Sequence, residues 1–324
     1  MAKIRYSLIA LLCALFVSLV ALAACSPSEP AYEPVTSGTA TTDLSSKVSD
    51  KVEEYRLPTE PYYVLVVGND SREGTVQPVS SSRADATMIL RIDPVSYQVS
   101  ILSLPRDTVL TYNGAKMKLN RPYEAGGIEA QMQAIKDFTG IDISYYLDIG
   151  LAKYVDFYNA IGGVDADVPI ALGHQDIVTG DYIWLEAGPQ HLNGNQALVL
   201  SRVRKAFSYG DPCRQYSTRH MMENTISLCA NSPELAVANF DIMLGHFDTD
   251  WPKEMLWLQI KDFCDHADQL HFVEGNGIYE GEFNESINDW ACYEDSETWS
   301  AILKVFTEGG DPTTVLPLAP MDPA

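Results

Sequence analysis

Six of the chain's eleven arginines fall into three short clusters. These are Ser82-Arg83-Ala84-Asp85, Pro105-Arg106-Asp107, and a stretch from Arg202-Val203-Arg204 through Asp211 to Arg214-Gln215 and Arg219. No arginine follows Arg219, so the last 105 residues contain none. Gathered guanidinium groups repel one another unless an anion or carboxylates satisfy them, and their rigid donor forks suit phosphate oxygens. The interleaved aspartates offer hard oxygen ligands for a divalent cation between protein and phosphate. Binding of a diphosphate beside a metal ion is the chemistry that follows. Surface pairing is the plainer alternative, because 44 acidic residues face 22 basic ones and exposed pairs contribute little. Scattered pairing would not, however, leave the last third of the chain bare of arginine.

Those clusters need elements to position them. Residues 62–67 read as a buried strand stopped by Gly68-Asn69-Asp70, with Tyr62 and Tyr63 as strand residues. Residues 88–92 and 99–104 are two more strands, separated by the turn signal Asp93-Pro94. Helical spacing marks 128–138 and 151–161; Gly162-Gly163 makes a tight turn, and 164–170 returns as strand. Tyr145 and Tyr146 also read as strand, and 195–200, 214–229, 233–247 and 253–263 as helices. Strands alternate with helices first and helices dominate the last third, which predicts an α/β sandwich on one mixed sheet. Asp70 then falls just past the first strand and Arg106-Asp107 past the third, where open α/β sheets bind ligands. Arg202 and Arg204 would point about 200° apart on a helix but share a face on extended chain, so the helix should end near Ser201. Arg214, Gln215 and Arg219 sit on the opening turns of the next helix, whose free N–H groups add positive character. Three segments thus converge on one anionic centre. Met221 and Met222 read as core packing rather than as the lining of a lipid tunnel.

The ends carry separate signals. Lys3 and Arg5 precede an apolar run over 9–24 that closes on Leu22-Ala23-Ala24-Cys25, the order of a secretory signal. The small residues before the cysteine resemble a lipobox, which implies removal of 1–24 and acylation of Cys25. A retained anchor is the alternative, since the run falls just short of spanning length. Either places the body outside the cytoplasm on a membrane leash. Residues 25–60, rich in Ser, Thr, Pro and Glu, are that leash and cannot fold alone. A net charge of −22 argues against nucleic acid and against adhesion to anionic lipid. Residues 61–310 make one large domain and 311–324 a flexible tail. Beyond Cys25 stand Cys213, Cys229, Cys264 and Cys292. Cys213 and Cys229 would lie about 24 Å apart along one helix, too far for a disulfide; Cys264 and Cys292 remain able to pair.

The motifs resemble, in order, those of the LytR-CpsA-Psr family. They are Gly68-Asn69-Asp70-Ser71-Arg72, Ser82-Arg83-Ala84-Asp85-Ala86, Leu104-Pro105-Arg106-Asp107, Lys118-Leu119-Asn120, Ile161-Gly162-Gly163-Val164-Asp165, Leu192-Asn193-Gly194-Asn195-Gln196-Ala197-Leu198, Arg202-Val203-Arg204, and Gly210-Asp211 with Arg214-Gln215. The resemblance implies a single α/β/α sandwich with a central mixed sheet and an apolar tunnel for a lipid tail. It implies an extracytoplasmic enzyme that moves a glycopolymer from a polyprenyl (undecaprenyl-type) diphosphate carrier onto a peptidoglycan hydroxyl, forming a phosphodiester. On that footing Asp70 and Asp85 are magnesium ligands. Arg83, Arg106, Arg202, Arg204 and Arg214 clamp the diphosphate, with Lys118 and Gln215 as further contacts. Arg106, Arg202 and Arg204 stabilise the departing polyprenyl phosphate, Asp107 or Asp211 takes the proton, and Asp211 alternatively orients an arginine. Ser217 and Thr218 stand where the family carries Arg-Gln, and Arg219 follows as a substitute contact. The implied site of action is the outer face of the cytoplasmic membrane in a Gram-positive-type envelope, with the anchor lipid rather than helical. The polymer is a teichoic acid, a capsule or another wall glycan. With water as acceptor the same site makes a polyprenyl-diphosphate hydrolase; without turnover it makes a lipid-anchored binding module.

Overall fold

The computed structural model describes residues 55–77, 81–292 and 296–324. The expected signal, Cys25 and the leash up to residue 54 lie outside the described residues. Three strands come first, β1 (Tyr62–Asn69), β2 (Ala84–Ile92) and β3 (Gln98–Leu104), then a hairpin of β4 (Val109–Tyr112) and β5 (Ala115–Lys118). After α1 (Pro122–Thr139), β6 (Tyr145–Gly150) and α2 (Leu151–Ala160) come four short strands. They are β7 (Val164–Val168), β8 (Leu172–Gln175), β9 (Tyr182–Leu185) and β10 (Gly188–Leu192). The helices α3 (Gly194–Arg202), α4 (Asp211–Ala230) and α5 (Pro233–His246) follow, then β11 (Asp248–Thr249) and α6 (Lys253–Asp265). The chain finishes with β12 (His271–Asn276), β13 (Gly281–Asn284), β14 (Asp289–Cys292), α7 (Ser296–Thr307) and a 3-10 turn at Pro312–Thr314.

Six strands form one mixed sheet in the order β11-β6-β1-β2-β3-β12. β1 runs parallel to β6 and β3 parallel to β12, while the other neighbours are antiparallel. Val64 to Val67 are all buried, an unbroken apolar run that only a sheet covered on both faces requires. Leu65 and Val67 join Ala134 and Ile135 of α1 and Ile302 and Phe306 of α7 on one face. On the other, Val64 and Val66 meet Phe240 of α5 and Met255 and Leu256 of α6. This is the expected α/β/α arrangement. A further cluster joins Phe157 and Tyr158 of α2, Val199 and Leu200 of α3, and the β7–β10 ribbon. Gly194 opens α3 where a Cβ would come within 2.0 Å of the Val155 carbonyl, so only glycine lets α3 start against α2.

The structure departs from expectation in three places. The last third is less helical than its sequence suggested, because β12 completes the sheet and β13–β14 forms a hairpin. Residues 311–324 are docked rather than loose: Ala324 N donates to the Ala206 carbonyl at 2.9 Å, Ser208 N to the Asp322 carbonyl at 3.0 Å, and Ala319 is buried. All four described cysteines are free thiols. Cys264 Sγ faces the Cys229 carbonyl at 3.4 Å, whereas Cys292 Sγ faces the Tyr279 carbonyl. No helix among the described residues is long and apolar enough to cross a membrane.

Candidate functional site

The carboxyl ends of β1 and β3 and the break between α3 and α4 meet at one end of a cavity of about 260 Å³. Its walls are apolar: Val66, Met88 and Leu90 from the sheet, Tyr154, Phe157 and Tyr158 from α2, Met222 and Ile226 from α4, Met243 and Phe247 at α5. Its polar end carries Asp70, Asp85, Arg106, Arg202, Arg204 and Arg214. Four arginines therefore face two aspartates, an excess of positive charge in a chain of net charge −22. An apolar slot capped by cations matches a molecule with a hydrocarbon tail and an anionic head.

Local structure explains each placement. Asp70 leaves β1 just after a register shift at Gly68/Asn69, and its Oδ1 accepts from the Arg83 backbone N–H at 2.6 Å. Burial pushes the Asp70 carboxyl above the usual range, the Arg83 N–H opposes this, and the Asp85 charge adds to it. Asp85 lies on β2 and accepts from Arg106 Nη1 at 2.7 Å and from Asn120 Nδ2 at 3.1 Å. Burial would raise Asp85, but the charges of Arg106 and Arg214 and the Asn120 bond outweigh it and hold it below the ordinary value. Two neighbouring carboxylates are thus displaced in opposite directions. Asp85 also positions Arg214, whose Nη2 donates to the Asp85 carbonyl at 2.8 Å.

α3 ends at Arg202 because Val203 turns to extended backbone (φ −68°, ψ 124°), which throws Arg202 and Arg204 to the same side. Both line the cavity, as the period argument required. Arg202 makes no ion pair with any described residue; burial and the Arg72 charge lower its pKa despite Asp85 and Asp70. Burial and the Arg106 charge lower that of Arg204, whose closest carboxylate is Asp107 at 4.0 Å. Burial works against Arg106 too, but Asp85, Asp211 and Asp107 outweigh it and hold its cation. The two arginines of the α3 exit are therefore cations short of an anion.

The remaining expected residues stand outside the cavity. Asp211 accepts from Arg214 Nε at 3.0 Å and from Gln215 Nε2 at 2.9 Å, so it orients those side chains. Gln215 is buried and also donates to the Leu104 carbonyl, which makes it a support beneath the Arg106 turn rather than a cavity contact. Lys118 bridges Asp107 at 3.0 Å and Asp289 at 2.7 Å. Arg83 turns its guanidinium towards Glu124 at 3.7 Å and serves Asp70 through its backbone. Arg219 departs furthest. It is 0% exposed, and donates to Glu274 Oε2 at 2.9 Å, Asn276 Oδ1 at 2.7 Å and Ser103 Oγ at 2.8 Å. It is a core ion pair and no substitute clamp. Met221 packs in the core as expected, but Met222 lines the cavity. Two further residues serve the site without a role expected from the sequence: Asn120, which fastens Asp85, and Arg72, which bears on Arg202; both lie within the ordered motifs, Lys118-Leu119-Asn120 and Gly68-Asn69-Asp70-Ser71-Arg72.

The LytR_cpsA_psr family model matches residues 32–296. A curated "polyisoprenyl-teichoic acid--peptidoglycan teichoic acid transferase TagU" from Bacillus anthracis is 29% identical over 193 residues, covering 59% of this chain and 59% of that protein. The chain thus spans less than two thirds of that relative's length. A TagU from Bacillus licheniformis is 27% identical over 238 residues, covering 70% of this chain and 74% of the relative. Among solved structures, B. subtilis TagV superimposes with a TM-score of 0.66 at 20% identity over 82% of this chain and 100% of that one. TagT bound to LIIa-WTA does so at 0.60 and 16% identity, over 81% and 94%. At such identities these likenesses concern the fold.

Proposed function

The chain belongs to the LytR_cpsA_psr family, and from that premise we propose that it transfers a teichoic-acid-like glycopolymer from a polyprenyl diphosphate carrier to a peptidoglycan hydroxyl. The observation that carries this reading is the meeting of an apolar cavity with four arginines and two aspartates at one end. The lipid tail occupies the cavity and the diphosphate lies among Arg106, Arg202, Arg204 and Arg214. The names of TagU relatives, which specify polyisoprenyl-linked teichoic acid and peptidoglycan, support the same pair of substrates.

In the reaction a sugar hydroxyl attacks the phosphorus that bears the polymer. A new oxygen–phosphorus bond forms, the bond bridging the two phosphates breaks, and polyprenyl phosphate leaves with the electron pair. Arg202 and Arg204 lack close anionic partners, so they are free to neutralise charge on the leaving phosphate, the step such sites accelerate most. Arg106 is held in place by Asp85, and Arg214 by Asp211. Asp107 is the carboxylate we assign to take the hydroxyl proton, because its Oδ2 stands 3.5 Å from Arg106 and 4.0 Å from Arg204, the arginines that line the cavity, while Asp211 holds Arg214 and Gln215 in place. Asp70 and Asp85 fit a magnesium ion: both offer hard oxygens into the same polar end, and the Asp85 charge bears on Asp70. When bound, magnesium would neutralise charge on the diphosphate oxygens. Acylation at Cys25 and action at the outer face of the cytoplasmic membrane belong to this reading.

The test incubates the protein with a polyprenyl-diphosphate-linked glycopolymer, magnesium and uncrosslinked peptidoglycan. The expected products are polyprenyl phosphate and an equal amount of polymer joined to glycan. Polyprenyl phosphate released at the same rate without glycan makes the enzyme a hydrolase. Absence of turnover with binding retained makes it a carrier-binding module.

A further inference from the structure

The transfer reaction needs a second entrance, because an acceptor must reach the phosphorus from the side away from the leaving group. Arg106 lines the apolar cavity and its neighbour Asp107 does not. Asp107 stands between the cavity arginines and the β13–β14 hairpin, its Oδ2 being 3.5 Å from Arg106 and 4.0 Å from Arg204. Lys118 links the carboxylates of Asp107 and Asp289, Cys292 N donates to the Asp107 carbonyl at 3.0 Å, and Thr108 bridges Cys292. This hairpin is thus fastened to the turn that carries the reaction.

Its outer surface is aromatic. Phe283 and Trp290 are directly opposed across the hairpin, so they share one face, and they are 59% and 46% exposed. Apolar rings left in water on a two-stranded ribbon call for a partner. The Trp290 ring leans along the hairpin over Gly281, where an added Cβ would meet its Cζ2 at 2.7 Å. Gly281 pairs with Cys292, the residue bonded to Asp107, so the ring tilts towards the reacting end. We infer that the Phe283–Trp290 face of this hairpin is the platform on which the acceptor glycan strand lies, delivering a hydroxyl to Asp107.

Charge selects the occupant. Residues 279–292 contain Glu280, Glu282, Glu285 and Asp289 and no lysine or arginine. A phosphate-rich polymer is repelled there. A neutral sugar chain is not: its C–H faces stack on indole and phenyl rings while its hydroxyls donate to carboxylates. The donor's anionic polymer therefore leaves by another side. The inference rests on the transferase reading for the acceptor's chemistry.

The experiment uses the whole protein and has two arms. In the first, acceptor kinetics are followed with a soluble uncrosslinked peptidoglycan oligosaccharide. Trp290→Ala and, separately, Phe283→Ala raise KM for the oligosaccharide about tenfold. KM for the lipid donor and kcat at saturating oligosaccharide stay within twofold, and Trp290→Phe restores most of the loss. In the second, tryptophans are labelled with fluorine and the Trp290 resonance, assigned with Trp290→Phe, is followed by NMR. It shifts with the oligosaccharide and stays still with poly(glycerol phosphate). An unchanged acceptor KM in Trp290→Ala, a Trp290 resonance indifferent to the oligosaccharide, or an equal response to poly(glycerol phosphate) overturns the platform. A wild-type protein that fails to turn over the donor while its Trp290 resonance still shifts with oligosaccharide overturns the transferase reading and leaves the platform standing.

Discussion

Arg214 and Arg219 lie five residues apart on α4, within one sequence cluster, and have opposite fates. Five residues turn a helix by about 140°, so the two side chains leave on different sides. Arg214 reaches the polar end of the cavity beside Arg106, Arg202 and Arg204, where arginines outnumber aspartates. Arg219 enters the core and finds Glu274, Asn276 and Ser103 waiting. One surplus of cation is left open for an anion, and the other is closed by the protein itself. The difference shows that residue type and clustering do not separate a binding arginine from a structural one. What separates them is where the guanidinium opens once its carboxylate is met: Arg214 pairs with Asp211 yet still lines the cavity, whereas Arg219 is wholly enclosed by its partners.

Replacing Arg202 and Arg204 together with alanine tests the open side. Neither side chain holds the fold through a close ion pair, so melting temperature should change by no more than a few degrees. Removing one preorganised charge-stabilising donor typically costs about 10²–10³ in rate, and the pair should cost about 10⁴. Turnover of the lipid donor, measured beside thermal unfolding, checks both statements. A double variant that turns over normally would show that the surplus charge serves something else.

Arg219→Ala tests the closed side and should give the reverse pattern. It strands Glu274 beside the half-buried Glu223, and breaking a buried pair from one side costs about 3–5 kcal/mol. Denaturant unfolding should show that loss, while the folded fraction keeps its affinity for polyprenyl phosphate. Intact stability with lost affinity would move Arg219 into the binding site and erase the distinction.

The same contrast explains what could be read from the residues alone. β1 to β3 were legible because their apolar runs are long and both faces are covered. The convergence of Arg202 and Arg204 was legible because a two-residue spacing distinguishes strand from helix. β12 was not: His271–Asn276 carries Glu274 and Asn276 inward to meet Arg219, so its pattern is not that of a buried strand. Arg219 was misplaced for the complementary reason, since its partner lies 55 residues further on in a segment without strand character. Met222 differs from Met221 only by a step round α4, too small a difference for periodicity to resolve. The docking of 311–324 rests on backbone bonds to residues 206 and 208, which composition does not reveal.

The smallest expected effect sharpens the closed side through pH. Glu223 lies near Glu274 and Arg219, one turn of α4 beyond His220, whose Nε2 is 3.5 Å from Glu274 Oε1. Burial, then the Glu274 charge, pushes the Glu223 carboxyl up to about 7, and Arg219 only partly opposes this. In the unfolded chain it ionises near 4.3. Below that pH both states hold the proton and Glu223 is neutral in its effect. Between the two values the unfolded state alone releases it, so stability falls as pH rises and then levels off above about 7. With solvent screening at a partly exposed site, the penalty should be about 1 kcal/mol. Glu223→Gln removes the titration. It should raise the melting temperature by roughly 2–4 °C at pH 8 and by almost nothing at pH 4. A gain of equal size at both pH values would mean that packing, not charge, sets the cost, and that Arg219 already neutralises both glutamates.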